Sequence, residues 1–292
     1  MIQLSGPDMM SRSSDRPVAI AVAPNGGRRT KADHPALPMT PAELARAAAE
    51  CLERGAAMIH LHVRDRHGLH ILDPDAYRAA ILAVRQAVGD GMVVQITSES
   101  LGAYEPGRQM DVVRETRPEA VSLALRELVP GRDAEPDFAA FLVWLKRETI
   151  MPQIILYDPD EALYLFDLHR RGLIPWDHIP VLLVLGRYTA SQQSAPNDLL
   201  PFLSPGIPRF RSFMVCAFGR DEAACVCAGA LFGGDVRVGF ENNLLQPDGS
   251  MAASNAVLVD TVAQRLRGFG RPIQSAASLR HAWAAGDDNE QL

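Results

Sequence analysis

A chain of 292 residues, 47% of them hydrophobic, can fill one large domain or two smaller ones. Its formal net charge of −6 is spread along the chain, with no run of lysine or arginine and few aromatics, so the footprint of a nucleic-acid-binding protein is missing. No apolar run is long enough to span a bilayer and residues 1–16 lack the apolar stretch of a signal peptide, which makes a cytoplasmic protein the default expectation.

Residues 18–23 read as a first apolar strand. Thr40, Pro41 and Glu43 then supply an N-cap, a first-turn proline and the acid of a capping box, opening a helix that Gly55 stops. Residues 57–63 form a second strand, Asp73-Pro74 opens a helix to about Val88, residues 91–97 form a third strand, and a weaker helix covers 110–116. The pattern repeats with strands over 120–125 and 151–157, a helix over 137–148 between them, and a helix opened by Asp158-Pro159. Strands over 179–185, 211–217 and 235–239 follow, with helices over 221–232 and 254–269. Alternation of this kind without a Gly-rich dinucleotide loop or a linker predicts a closed (β/α)8 barrel over about 17–273, rather than a doubly wound sheet. Residues 1–16 and the tail after about Gly286 read as disordered, and 275–285 as an added helix within the C-terminal segment 274–292. The connection over 186–208 exceeds an ordinary loop and reads as a binding loop or a subunit contact. Cys51, Cys216, Cys225 and Cys227 lack metal or disulfide spacing and read as buried, reduced thiols.

The second strand carries His60 and His62, whose spacing of two puts both imidazoles on one face. Such a pair is either two core histidines bonded to backbone or half of a metal site. Glu241, just past the last strand, is the best third ligand, although a carboxylate in that position is also common in solvated loops. In a barrel the second and eighth strands flank the first, and their inward side chains converge at the C-terminal rim where barrel active sites are built. Two histidines and one carboxylate suit a catalytic zinc with an open position. Arg237 shares the strand parity of Glu241 and should also face inward, where an unpaired charge calls for an anionic partner.

The chain resembles the β-keto acid cleavage enzymes, a family of zinc-dependent barrels. The resemblance spans about 18–272 and rests on Pro38-Met-Thr-Pro-Ala-Glu43, Gly55-Ala-Ala-Met-Ile-His-Leu-His-Val-Arg-Asp65, the strand end Gln95-Ile-Thr97, and Arg237-Val-Gly-Phe-Glu-Asn-Asn243. It implies a Claisen-type exchange in which a β-keto acid and acetyl-CoA yield acetoacetate and a new acyl-CoA. It further implies that His60, His62 and Glu241 hold zinc, that Arg237 is their electrostatic partner, that Thr97 and Ser122 orient substrate, and that the protein is a homo-oligomer, commonly a tetramer.

Two departures from the family pattern bear on function. Asn242 stands where the pattern has a basic aspartate, and an amide cannot accept a proton; a metal-bound hydroxide, Asp65 or Glu99 is then the expected base. The alternatives are a CoA-independent lyase or hydrolase on the same barrel, or a keto acid-binding homologue without catalysis. In the Pro24-Asn-Gly-Gly-Arg28 turn, Arg28 replaces an acidic residue of members that act on amino-bearing keto acids. With Asn25 beside it and the uncharged Gln153 on the fifth strand, this predicts a substrate whose distal end is anionic or neutral. Against that reading, Arg28 or Arg29 could simply pair with Asp33.

Overall fold

The computed structural model describes residues 16–284, so the expected disordered tails lie outside the described residues apart from Arg16. Eight parallel strands close on themselves: β1 (Ile20–Val22), β2 (Met58–Leu61), β5 (Val93–Thr97), β6 (Ala120–Ala124), β7 (Met151–Leu156), β8 (Val181–Leu185), β9 (Phe213–Ala217) and β10 (Asp235–Val238). β1 lies between β2 and β10, as the (β/α)8 expectation requires, and the architecture is that barrel. Local chemistry starts the helices. Thr40 and Glu43 exchange side-chain and backbone hydrogen bonds ahead of α1 (Pro41–Glu53), Asp73 caps α2 (Pro74–Val88), and Asp158 caps α6 (Pro159–Arg170), each with proline in the first turn.

Several elements differ from the sequence reading. The second strand breaks after Leu61, and Val63–Arg64 (β3) pairs antiparallel with His70–Ile71 (β4) in a hairpin whose turn is held by Asp65 accepting from His67 N and Leu69 N. Two-residue strands carry no readable period. Pro106 starts α3 (Pro106–Thr116) four residues before the expected point, because proline is well suited to a first turn. A short α4 (Leu125–Leu128) precedes α5 (Glu135–Arg147), and a 3-10 helix over Pro196–Leu203 occupies part of the long connection after β8. α7 (Glu222–Leu231) and α8 (Asn255–Gly268) match expectation.

Apolar side chains fill two layers. One lies between the strands and their helices. The other lies inside the barrel, where Ala19, Ala21, Met58, Val93 and Leu182 meet Leu279 and Trp283 of α9 (Ala276–Ala284). α9 thus closes the N-terminal end of the barrel, and Arg280 ties it to Glu119 and to the carbonyls of Asp90 and Met92. All four cysteines are buried and free.

Asp235, at the foot of β10, accepts from Ala19 N at 2.9 Å and from Arg16 at 3.3 Å. Burial raises its pKa from the ordinary 3.8 to about 6 in spite of Arg16. The unfolded chain therefore loses this proton first, so the contribution to stability is complete below pH ~4 and is lost as the pH rises to about 6, a change of about 3 kcal/mol. Relative to wild type, Asp235→Asn is expected to gain melting temperature between pH 4 and 7; parallel melting curves at both ends of that range would exclude the buried proton.

Candidate metal centre

β2 and the residue just past its end deliver both imidazoles to the C-terminal mouth of the barrel. His60 and His62 are buried, with ring centroids 5.2 Å apart and nearly perpendicular. The chain leaves β10 through a turn at Gly239, and Glu241 returns over the mouth: its Oε2 lies 3.6 Å from His60 Nε2 and 3.4 Å from His62 Nε2. One ligand atom from each of the three residues lies within 4.8 Å of the others. Both ring nitrogens of His62 and Oε2 of Glu241 are buried without a hydrogen-bond partner. His62 Nε2 and Glu241 Oε2, left without a hydrogen-bond partner among the described residues, face one point together with His60 Nε2; burying such groups is costly unless a cation satisfies them, so the donor set fits a divalent metal.

Surrounding groups set the protonation that metal binding needs. Burial lowers the pKa of His60 to about 4 and of His62 to about 3, against the opposing charge of Glu241, so both rings are neutral at pH 7. Gln95 donates through Nε2 to Gln153 Oε1 at 3.2 Å and turns its own Oε1 to His60 Nδ1 at 2.8 Å. His60 Nδ1 then carries the proton, and the Nε2 lone pair faces Glu241. Burial works against the Glu241 carboxylate, but Arg237, then His62 and His60, outweigh it and hold its pKa well below the usual carboxylate range. Gly26 leaves room for this carboxylate: at φ +60° it adopts a conformation most residues avoid, and a Cβ there would sit 2.6 Å from Glu241 Cγ.

The expected site residues fall into three groups. Thr97 and Arg237 line the inner cavity with the three candidate ligands. Arg237 Nη2 reaches Glu241 Oε1 at 3.2 Å and Cys216 Sγ at 3.4 Å, while its buried Nε and Nη1 have no partner among the described residues. Asn25 and Arg28 line an adjoining outer cavity, but the Asn25 amide is spent on the backbone of His62, donating to its carbonyl at 2.9 Å and accepting from its N–H at 3.2 Å. Ser122 and Gln153 are buried in the barrel interior and line neither cavity; Gln153 bonds Gln95 and Met214. The Asn242 side chain also lines neither cavity, and both its amide atoms are buried without a partner among the described residues. Asp65 is committed to its hairpin turn. Asp33 does not pair with Arg28 or Arg29 among the described residues: it accepts from Thr30, and Arg29 donates to the carbonyls of Phe240 and Asn242.

Sequence reasoning missed Gln95 as the His60 partner, Gly26, and Arg187 at the start of the long connection. Arg187 and Gln192 bring that connection to the site, and Arg187 Nη2 lies 3.3 Å from Glu99 Oε1. Glu99 lines both cavities, 3.9 Å from His62 Nε2; burial, then the charge of Glu241, raises its pKa to about 7. Gln95→Leu is expected to weaken zinc affinity about 10- to 100-fold by freeing the His60 ring. Competition with a zinc-sensitive dye measures this, and an unchanged Kd would dismiss Gln95 as the orienting group.

A closed parallel barrel with two histidines and a carboxylate facing one point at its C-terminal rim defines a class: a (β/α)8 protein with a candidate metal centre. The model of the beta-keto acid cleavage enzyme family matches residues 17–283, and the chain belongs to that family. It is 30% identical over 268 residues to the 3-keto-5-aminohexanoate cleavage enzyme of Acetoanaerobium sticklandii, covering 89% of this chain and 96% of that one. It is 27% identical over 272 residues to the 3-oxoadipate:acetyl-CoA acetyltransferase of Cupriavidus necator, covering 91% and 94%. Among solved structures, apo ObcA matches with a TM-score of 0.66 at 18% identity, covering 86% of this chain and 66% of the longer ObcA chain, a likeness of fold.

Proposed function

We propose that this protein is a zinc-dependent β-keto acid cleavage enzyme that exchanges acyl groups between a β-keto acid and acetyl-CoA. The acyl group of the keto acid moves to the CoA sulfur and the acetyl group moves to the released carboxymethyl carbon, so acetoacetate and a new acyl-CoA account for all atoms. The observation that carries this reading is the convergence of His60, His62 and Glu241 on one point, with His62 Nε2 and Glu241 Oε2 unpartnered among the described residues, at the mouth of a barrel of this family. The names of the two relatives support a β-keto acid substrate and acetyl-CoA as co-substrate.

A zinc ion held there supplies a Lewis acid for the β-carbonyl oxygen. Arg237 places its guanidinium charge on the wall of the inner cavity, where it suits a substrate carboxylate, and Thr97 lines the same cavity with its hydroxyl. Asn242 cannot take up a proton; Glu99 is the carboxylate, besides the ligand Glu241, that lines the inner cavity and can hold one in its place. Arg28 in the outer cavity repels an ammonium and suits an anionic or neutral distal end, in keeping with the dicarboxylate named for the Cupriavidus relative. Family resemblance extends the reading to a homotetramer, which light scattering would report as four chains of 31.8 kDa. The free, buried thiols agree with residence in the cytoplasm.

The unpartnered amide of Asn242 favours one second reading, a keto acid-binding homologue that has lost its base. Coupled detection of acetoacetate across neutral, anionic and cationic 3-oxo acids, with and without chelator, separates the readings. Zinc- and acetyl-CoA-dependent release from anionic or neutral acids is the expected result. Turnover without acetyl-CoA would indicate a lyase or hydrolase. An inert wild type with release restored by Asn242→Asp would identify the binding homologue.

A further inference from the structure

The inner cavity, beside the three candidate ligands, encloses about 20 Å³, and the outer cavity, beside Arg28, about 50 Å³. Each holds a few waters at most. The two share four walls: Glu99, Arg187, Phe218 and Glu241. The Glu99–Arg187 ion pair lines both cavities, as a partition would, and a keto acid whose reacting end occupies the inner cavity meets it on extending into the outer one.

The two halves of this partition are unequally committed. Arg187 gives Glu99 a single contact of 3.3 Å, and the central carbon of its guanidinium lies over the Phe218 ring, 5.1 Å from the centroid. Its remaining N–H groups form a fork that a carboxylate could engage through both oxygens. Arg28 faces the same space and makes no hydrogen bond or ion pair among the described residues, whereas Arg29 is spent on two backbone carbonyls. Glu99 shares its walls with a second carboxylate, Glu241, which disfavours holding both negative charges there.

We propose that Arg187 is the specificity-determining residue of this site: a distal carboxylate on the keto acid displaces Glu99 from its guanidinium, with Arg28 as the second cation, so the preferred substrates are 3-oxo dicarboxylic acids. The inference rests on the keto acid reading above and narrows its substrate class. The displaced Glu99 stays in the inner cavity beside the reacting end, which links recognition of the distal group to delivery of the one spare carboxylate.

Binding of unreactive probes tests the subsite apart from the chemistry. Titration calorimetry of zinc-loaded protein with adipate and hexanoate is expected to show at least a tenfold preference for the dicarboxylate, equivalent to about 1.4 kcal/mol. Arg187→Gln should bring the ratio near one by weakening adipate alone. Glu99→Gln should tighten adipate several-fold more than it tightens hexanoate, because only adipate has a distal carboxylate to gain from the release of Arg187. An Arg187 of merely structural importance would weaken both probes together. Equal binding of the two acids to wild type, absence of adipate binding, or no gain in Glu99→Gln would overturn the proposal. Adipate selectivity without acetoacetate release would sink the proposed reaction and leave the subsite standing, and release without selectivity would do the reverse.

Discussion

Protein carrying His60→Ala is expected to purify with almost no zinc, against close to one ion per chain in the wild type, and to release acetoacetate at least about a thousandfold more slowly. Two ligands replace three, and the polarisation lost is worth several kcal/mol, each 1.36 kcal/mol being a factor of ten in rate. Elemental analysis and the coupled assay report the two losses separately. Chelator should reproduce both in the wild type, and added zinc should restore the wild type only. The barrel itself should survive, because the removed ring leaves Gln95 with its second bond to Gln153. A His60→Ala protein that keeps its zinc and its rate would remove the basis for the centre at Glu241, His60 and His62.

Arg237→Met is expected to separate folding from chemistry. In metal-free protein the largely buried Glu241 carboxylate loses the cation hydrogen-bonded to it, and breaking such a pair costs about 3 kcal/mol, or a drop in melting temperature of about 10 °C. Zinc should reverse most of this drop, because a bound cation takes over the compensation of Glu241. The zinc-loaded variant should still turn over about 100- to 1000-fold more slowly, since the positive charge that Arg237 places on the cavity wall is gone. Calorimetric melting with and without zinc, beside kcat for the loaded form, measures both. A stability loss that zinc does not reverse would mean that Arg237 serves packing rather than the charge of Glu241.

Much of the site was legible because its signals are local. His60 and His62 share a strand face by the period of two, and Glu241 and Arg237 follow from where the last strand ends. The capped starts at Thr40, Asp73 and Asp158 and the alternation of strands and helices were readable for the same reason, and they sufficed for the barrel. The hairpin of Val63–Arg64 and His70–Ile71 was not, because strands of two residues leave no periodic trace. The role of Gln95 depends on pairing between β2 and β5, where His60 and Gln95 stand side by side in register. Asn25 shows the converse: its neighbour Arg28 suggested a substrate-facing amide, and the fold instead binds that amide to the backbone of His62, 37 residues away.

Sequence alone therefore determined the strands and most of the helices of the barrel, its closed order and the identity of three candidate ligands, since caps, periods and strand parity are properties of short stretches of chain. Only the tertiary structure decided which atoms meet. The proton on His60 is placed by a glutamine from the next strand, the room for Glu241 by a glycine more than two hundred residues earlier, and the wall between the cavities by Glu99 and Arg187. Such contacts arise when barrel closure brings distant strand ends within a few ångströms, and their strength depends on burial, which no local pattern encodes.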